Sequence, residues 1–127
     1  MTQEDKDLLL IDLCARLPYN VAIDCRSEDS RFTCYLTTDM LREIQNNRCY
    51  WEYKPYLFPL SSMSERQCYE LSSIRSSFQD CWKYIKTPIP LSICNFEQIE
   101  WLHKNHFDYR GLIEKGLAID ATGLNIY

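Results

Sequence analysis

Glycine is scarce, with 3 residues among 127, and proline is limited to 5, so the chain has the composition of neither a flexible linker nor a disordered tail. Positive charge is not in excess. With 18 acidic against 14 basic side chains and a net charge of −4, general binding to a phosphate backbone, which needs a basic face, is disfavoured. No apolar run approaches the roughly 20 residues of a membrane span. The start, MTQEDKDLLL, has neither the basic opening nor the apolar core of a secretory signal. The seven cysteines at 14, 25, 34, 49, 68, 81 and 94 form no CxxC or CxxH pair. Free thiols, mostly buried as small apolar side chains, are expected in a reducing cytoplasm, without membrane attachment.

Catalytic signatures are also missing. GxSxG, the P-loop, GxGxxG and HExxH are all absent. No catalytic residue, cofactor or metal ligand is therefore assigned, and an enzyme remains conceivable only as a small hydrolase whose constellation sequence does not reveal. His103 and His106 lie three apart and would share a helix face, as an acid/base pair or two metal ligands would, but no third ligand accompanies them. The alternative is structural: one ring packs and bonds a carbonyl, while the other ends the helix, where His⁺ is favourable.

What is present is apolar and aromatic. The 46% apolar content, with 9 Tyr, 5 Phe and 3 Trp, suits one domain over 1–127. A chain of this length buries roughly two thirds of its unfolded surface without disulfides or metals.

Thr2 reads as the cap of a helix over Gln3–Arg16, with Leu9, Leu10, Leu13, Cys14 and Leu17 on its apolar stripe. Pro18 stops it, and Tyr19-Asn20 turns the chain with Asn able to take positive φ. Val21, Ile23 and Cys25 alternate with Ala22, Asp24 and Arg26 as a strand with one buried face. Ser27–Ser30 is a hairpin loop, and Arg31–Thr37 returns with Phe32, Cys34 and Leu36 inward. Residues 38–47 fit a short helix capped by Thr38 or Asp39, and a continued strand fits as well. Arg48–Tyr53 reads as a further strand of an antiparallel sheet, and Lys54–Pro59 as an extended connector that its prolines keep from being a central strand.

Ser62 with Glu65 forms a capping box for a second helix, with Leu71, Ile74, Phe78, Cys81 and Ile85 facing the core. Thr87–Pro90 ends it. Asn95 caps a third helix reaching about Asn105, with Phe96, Ile99, Leu102, His103 and His106 at helical spacing. Asp108 caps a short helix Tyr109–Lys115 that ends at Gly116. Residues 120–127 carry no strong signal. The fold expected is α+β: an N-terminal helix, a small curved antiparallel sheet, SH3-like in one form, and two or three helices packed over it.

Three stretches, LLLIDLCARLPYNV (8–21), YKPYLFPLSSMSE (53–65) and WLHKNHFDYRGLIEKGLAI (101–119), resemble a family of small uncharacterised (hypothetical) proteins of gut Bacteroidales, their prophages and phages. The resemblance implies a setting, that of a phage or mobile-element accessory protein, and no mechanism. Two residues depart from the pattern: Asn20 stands where relatives tend to have glycine, and Phe58 where arginine is usual.

Within these stretches Arg16, Tyr19, Lys54, Tyr56, Tyr109 and Arg110 fall at element ends rather than on apolar stripes, which is where a scaffold presents binding groups. Gly111 follows them and permits close approach of a ligand at a helix N-terminus. Aromatic rings stack, and arginine forks match phosphate or carboxylate. The reading expected is a non-enzymatic binding protein of phage or mobile-element origin that engages a host component. The alternative is a counter-defence protein that sequesters an anionic small molecule such as a nucleotide signal. Partners expected are thus a host protein or a small anionic ligand, with room for a homo-oligomer.

Overall fold

The structure is a computed structural model that describes residues 2–46, 50–71 and 96–127 in full and residues 72–74 as helical backbone. Its elements run α1 Gln3–Arg16, β1 Ala22–Arg26, β2 Arg31–Tyr35, α2 Thr38–Asn46, β3 Glu52–Pro59, α3 Glu65–Ile74, α4 Phe96–Lys104, β4 Phe107–Asp108 and β5 Ile119–Asp120. This is an α+β fold with an open five-stranded sheet in the order β2-β1-β3-β4, β5 also pairing with β3.

Local chemistry sets the first third. The Thr2 hydroxyl accepts a hydrogen bond from the Asp5 N–H, satisfying one of the free donors that begin α1. A single 3-10 turn over Leu17–Tyr19 follows, and Asn20 takes the left-handed conformation at φ 54, as the Tyr19-Asn20 turn requires. The hairpin β1–β2 and the helix over 38–46 form where expected, although the helix cap is the Thr37 hydroxyl, which receives the Met40 N–H.

The sheet departs from expectation in two ways. It is mixed rather than wholly antiparallel: β1 pairs antiparallel with β2 and β3, whereas β4 and β5 run parallel to β3. Parallel neighbours need a long crossover, and the chain between β3 and β4 contains α3 and α4. Nor is Lys54–Pro59 a connector. It belongs to β3, the strand on which three of the four ladders meet. Its prolines are tolerated because of where they fall: Pro55 is the last residue paired with β1, and Pro59 the last residue of the strand. The strand begins at Glu52, after bends at Tyr50 and Trp51.

β1 is buried on both faces, not one, since Val21, Ala22, Ile23, Asp24 and Cys25 are all inaccessible. Val21, Ile23 and Cys25 join Leu9, Leu13, Leu36, Ile44, Tyr53 and Leu57 in the main core under α1 and α2. The other face is covered by the C-terminal segment, where Ala121 packs on Ala22 and Tyr56 with Ile119 and Ile126 beside them. Ala121 and Ile126 belong to the stretch 120–127, which carries no strong signal of its own. A third cluster, Leu60, Met63, Cys68, Leu71, Leu102, Phe107 and Tyr109, joins α3 and α4 to the sheet.

Several side chains lie elsewhere than periodicity placed them. α1 buries Lys6, Leu9, Asp12, Leu13 and Arg16, and Cys14 is exposed. The buried face is rotated toward Asp12 and Arg16 because those two charges find partners inside. Phe32 is 49% exposed on the outermost strand, and Phe96 is 73% exposed because the inner face of α4 is set by Gln98, Leu102 and His103. The capping box of α3 is two residues later than expected, with Gln67 N–H on the Ser64 hydroxyl and Ser64 N–H on the Gln67 side chain. The expected positions of Ile74, Phe78, Cys81 and Ile85, the Thr87–Pro90 crossing, and Asn95 as a cap lie outside the described side chains.

Candidate functional site

Where α1, α4 and the segment after α4 meet, the structure gathers Asp12, Arg16, His103, Tyr109 and Arg110. Arg16 is fully buried, and its Nε donates to Asp12 Oδ2 at 2.7 Å along one turn of α1. Its Nη2 donates to the Phe107 carbonyl at 2.6 Å, tying α1 to β4. Arg110 reaches the same carboxylate from the other side, Nε to Asp12 Oδ1 at 3.1 Å. Asp12 is therefore a buried carboxylate shared by two guanidinium groups.

Both guanidinium groups stand over the Tyr109 ring, Arg16 at 5.5 Å and Arg110 at 5.0 Å from its centroid, within cation–π range. Its hydroxyl accepts from Arg110 Nη2 at 3.1 Å and meets His103 Nε2 at 2.7 Å. An accepting hydroxyl still carries its own proton, and with His103 as a neutral imidazole protonated on Nδ1 that proton is donated to Nε2. Burial, reinforced by the Arg16 charge, pushes His103 down to about 4, in keeping with that assignment. Burial also raises the Tyr109 hydroxyl above its ordinary value. A base held near 4 behind a phenol held above 10 is poorly matched to proton transfer at neutral pH. The arrangement is built to hold elements together.

The second histidine does something else. His106 sits past the end of α4 in the left-handed region at φ 61, and its carbonyl accepts from the Phe58 N–H of β3 at 2.8 Å. Its ring stacks on Tyr127 at 3.7 Å between centroids, and its buried Nδ1 meets no partner among the described residues. It ends the helix, as one reading of the sequence had it, but not as a cation: burial and the nearby Arg16 charge push it down to about 4. Among the described residues no group of three or more His, Cys, Asp or Glu side chains is placed to hold a metal ion.

Tyr127 completes the junction. Its hydroxyl donates to the Tyr56 carbonyl and accepts from the Ala22 N–H, both at 2.8 Å, bridging β1 and β3 where their ladder has ended at Ile23 and Pro55. Burial pushes that hydroxyl up to about 12. Tyr127→Phe leaves a strand donor and a strand acceptor without this partner. It is expected to lower unfolding free energy by about 1–3 kcal/mol, read from urea midpoints, while far-UV circular dichroism stays unchanged.

Past Tyr109, the Asp108 carboxylate accepts from the N–H groups of Arg110, Leu112 and Ile113, as expected of a cap. What it caps is a single turn rather than a helix over 109–115. Leu117 N–H returns to the Leu112 carbonyl and Gly116 N–H to that of Ile113, closing the turn with Gly116 at φ 74. Gly111 takes φ 78 at its start.

The seven candidate binding residues thus fall in two places. Arg16, Tyr109 and Arg110 share the buried network, with Gly111 next in the chain. Tyr19 is half-buried beside it, its ring 6.0 Å from that of His103 and its hydroxyl on Glu100, which raises the hydroxyl above its ordinary value. Lys54 and Tyr56 lie on β3, next to Asp24 of β1, which the Tyr56 hydroxyl approaches at 3.5 Å. There Lys54, but not Tyr56, borders a groove of about 220 Å³ lined by Asp24, Arg26, Arg31, Glu52, Lys54 and Ile119. Asp12 carried the sequence signal of an Asp/Arg pair four apart on a helix, and the groove that of charges alternating along both strands of a hairpin.

None of the family models, curated proteins or solved structures compared with the chain matches it. Function must be argued from its own surfaces.

Proposed function

We propose that this is a non-enzymatic binding protein of phage or mobile-element origin that engages a host polypeptide through an aromatic corner of its sheet. The origin rests on the three stretches resembling Bacteroidales phage and prophage proteins. The observation that carries the binding role is the corner itself. Trp51 packs edge-on against Phe32 at 5.0 Å and against Tyr50 at 5.6 Å, while Phe32 and Tyr50 remain 49% and 66% exposed. Rigid aromatic side chains that are packed on one side and open on the other are the groups that dominate protein interfaces. By contrast, Arg16 and Arg110 are turned inward on Asp12, which leaves them little freedom to recognise a partner.

The test uses the Phe32→Ala/Tyr50→Ala double variant beside the unmodified chain as affinity bait in host extract, followed by titration of the purified polypeptide that is recovered. The expected result is retention of the fold by circular dichroism with at least a tenfold weaker Kd, about 1.4 kcal/mol. Equal affinity of the two proteins for that polypeptide would rule out the aromatic corner as the binding surface.

A further inference from the structure

The charged face of the hairpin poses a problem that the partner reading leaves unsolved. In the ladder register Arg26 of β1 stands directly opposite Arg31 of β2, and like charges in that position repel. Across the other ladder Arg26 faces Glu52 and Asp24 faces Lys54. Alternate residues of a strand point to one side, so Asp24 and Arg26 share a face with these partners. That face is the floor of the groove of about 220 Å³, which Ile119 walls on its apolar side.

The two carboxylates in the groove are already engaged. Asp24, 3% exposed, accepts from Arg31 Nε at 2.8 Å and lies 3.5 Å from the Tyr56 hydroxyl. Glu52 pairs with Lys54 at 3.5 Å. Arg26 is exposed and makes no ion pair among the described residues. Three cations against two engaged carboxylates leave one positive charge in excess, beside a second arginine whose side chain is 52% exposed. In a chain of net charge −4 a local positive site of this kind runs against the overall balance.

We propose that this groove binds a small tetrahedral oxyanion, the phosphate of a phosphomonoester, between Arg26 and Arg31, with Lys54 at its edge. Planar guanidinium forks match phosphate oxygens two at a time, and an anion between the two arginines removes their mutual repulsion. At about 220 Å³ the groove is smaller than the roughly 300–1,000 Å³ of pockets that enclose drug-sized ligands. It accepts the phosphate and the first atoms of its substituent, and the rest of the ligand projects into solvent along Ile119. Exposure of both arginines makes the affinity modest and strongly dependent on salt.

The experiment is an amide-resolved NMR titration of the full chain at low ionic strength with inorganic phosphate and with a nucleoside 5′-monophosphate. The matching nucleoside and sodium chloride at equal ionic strength serve as controls. Both phosphates are expected to give saturable shifts at Arg26, Arg31 and Lys54 in the millimolar range, and the controls none. Arg26→Gln, at an exposed side chain without an ion pair, is expected to keep the melting temperature and to weaken phosphate binding at least tenfold. The proposal is overturned if neither phosphate gives saturable shifts there, if chloride reproduces them, or if Arg26→Gln binds as tightly as the unmodified chain.

Discussion

Asp12→Ala is expected to lower the free energy of unfolding by about 3–5 kcal/mol, a large part of the stability of a domain this size. The magnitude comes from what is left behind. Asp12 is fully buried and pairs with both Arg16, itself fully buried, and Arg110. Removing the carboxylate strands a guanidinium inside the protein, and desolvation of an uncompensated charge costs far more than the net worth of an intact pair. Arg16 cannot escape to water without giving up its bond to the Phe107 carbonyl, which joins α1 to β4. Urea unfolding followed by tryptophan fluorescence measures the loss. Asp12→Leu combined with Arg16→Met buries apolar groups instead of charges, so this double variant is expected to be more stable than Asp12→Ala alone. A loss under about 1 kcal/mol for Asp12→Ala would contradict the shared-carboxylate geometry.

The same pair shows why the chain was only partly legible in advance. Helix α1, its Thr2 cap, the left-handed Asn20 and the Asp108 cap were readable because each depends on residues within a few positions of one another. From its place at the end of a helix and off the apolar stripe, Arg16 is expected to present a binding group, and arginine is almost never fully buried unless paired. Its burial depends on Asp12 one turn away and on a carbonyl 91 positions later, and only the first of these is visible locally. Likewise the prolines of Lys54–Pro59 argue against a central strand, and yet β3 is one. Whether they fall inside a ladder or at its ends depends on which strands arrive, a tertiary fact. Residues 120–127 look featureless because their role is to cover Ala22 and Tyr56 and to place one hydroxyl between two strands. As for the candidate binding residues, chemistry identified side chains that make strong polar contacts, and most of those contacts are with one another.

Acidification from pH 7 to 4 is expected to destabilise the protein by roughly 3–5 kcal/mol through its two histidines. Burial pushes both His103 and His106 down to about 4, and the Arg16 charge adds to the effect at each. In the unfolded chain a histidine titrates near 6.5. Between that value and about 4 the unfolded state therefore binds more protons than the folded one, so stability rises with pH across the window. The contribution is fully present above about 6.5 and is lost as pH falls toward 4. A fully buried histidine shifted this far would alone supply about 3 kcal/mol, and His106, partly exposed, supplies less because solvent screens it. Two variants separate the contributions. His103→Gln keeps an acceptor for the Tyr109 hydroxyl, and His106→Asn suits the φ of 61 at that position; each removes one titrating ring. Each is expected to flatten the dependence of the urea midpoint between pH 6.5 and 4, with His103→Gln having the larger effect. If the unmodified chain and both variants lose stability in parallel over that range, the buried neutral histidines are not its acid-sensitive groups, and the His103–Tyr109–Arg110 arrangement would have to be reconsidered.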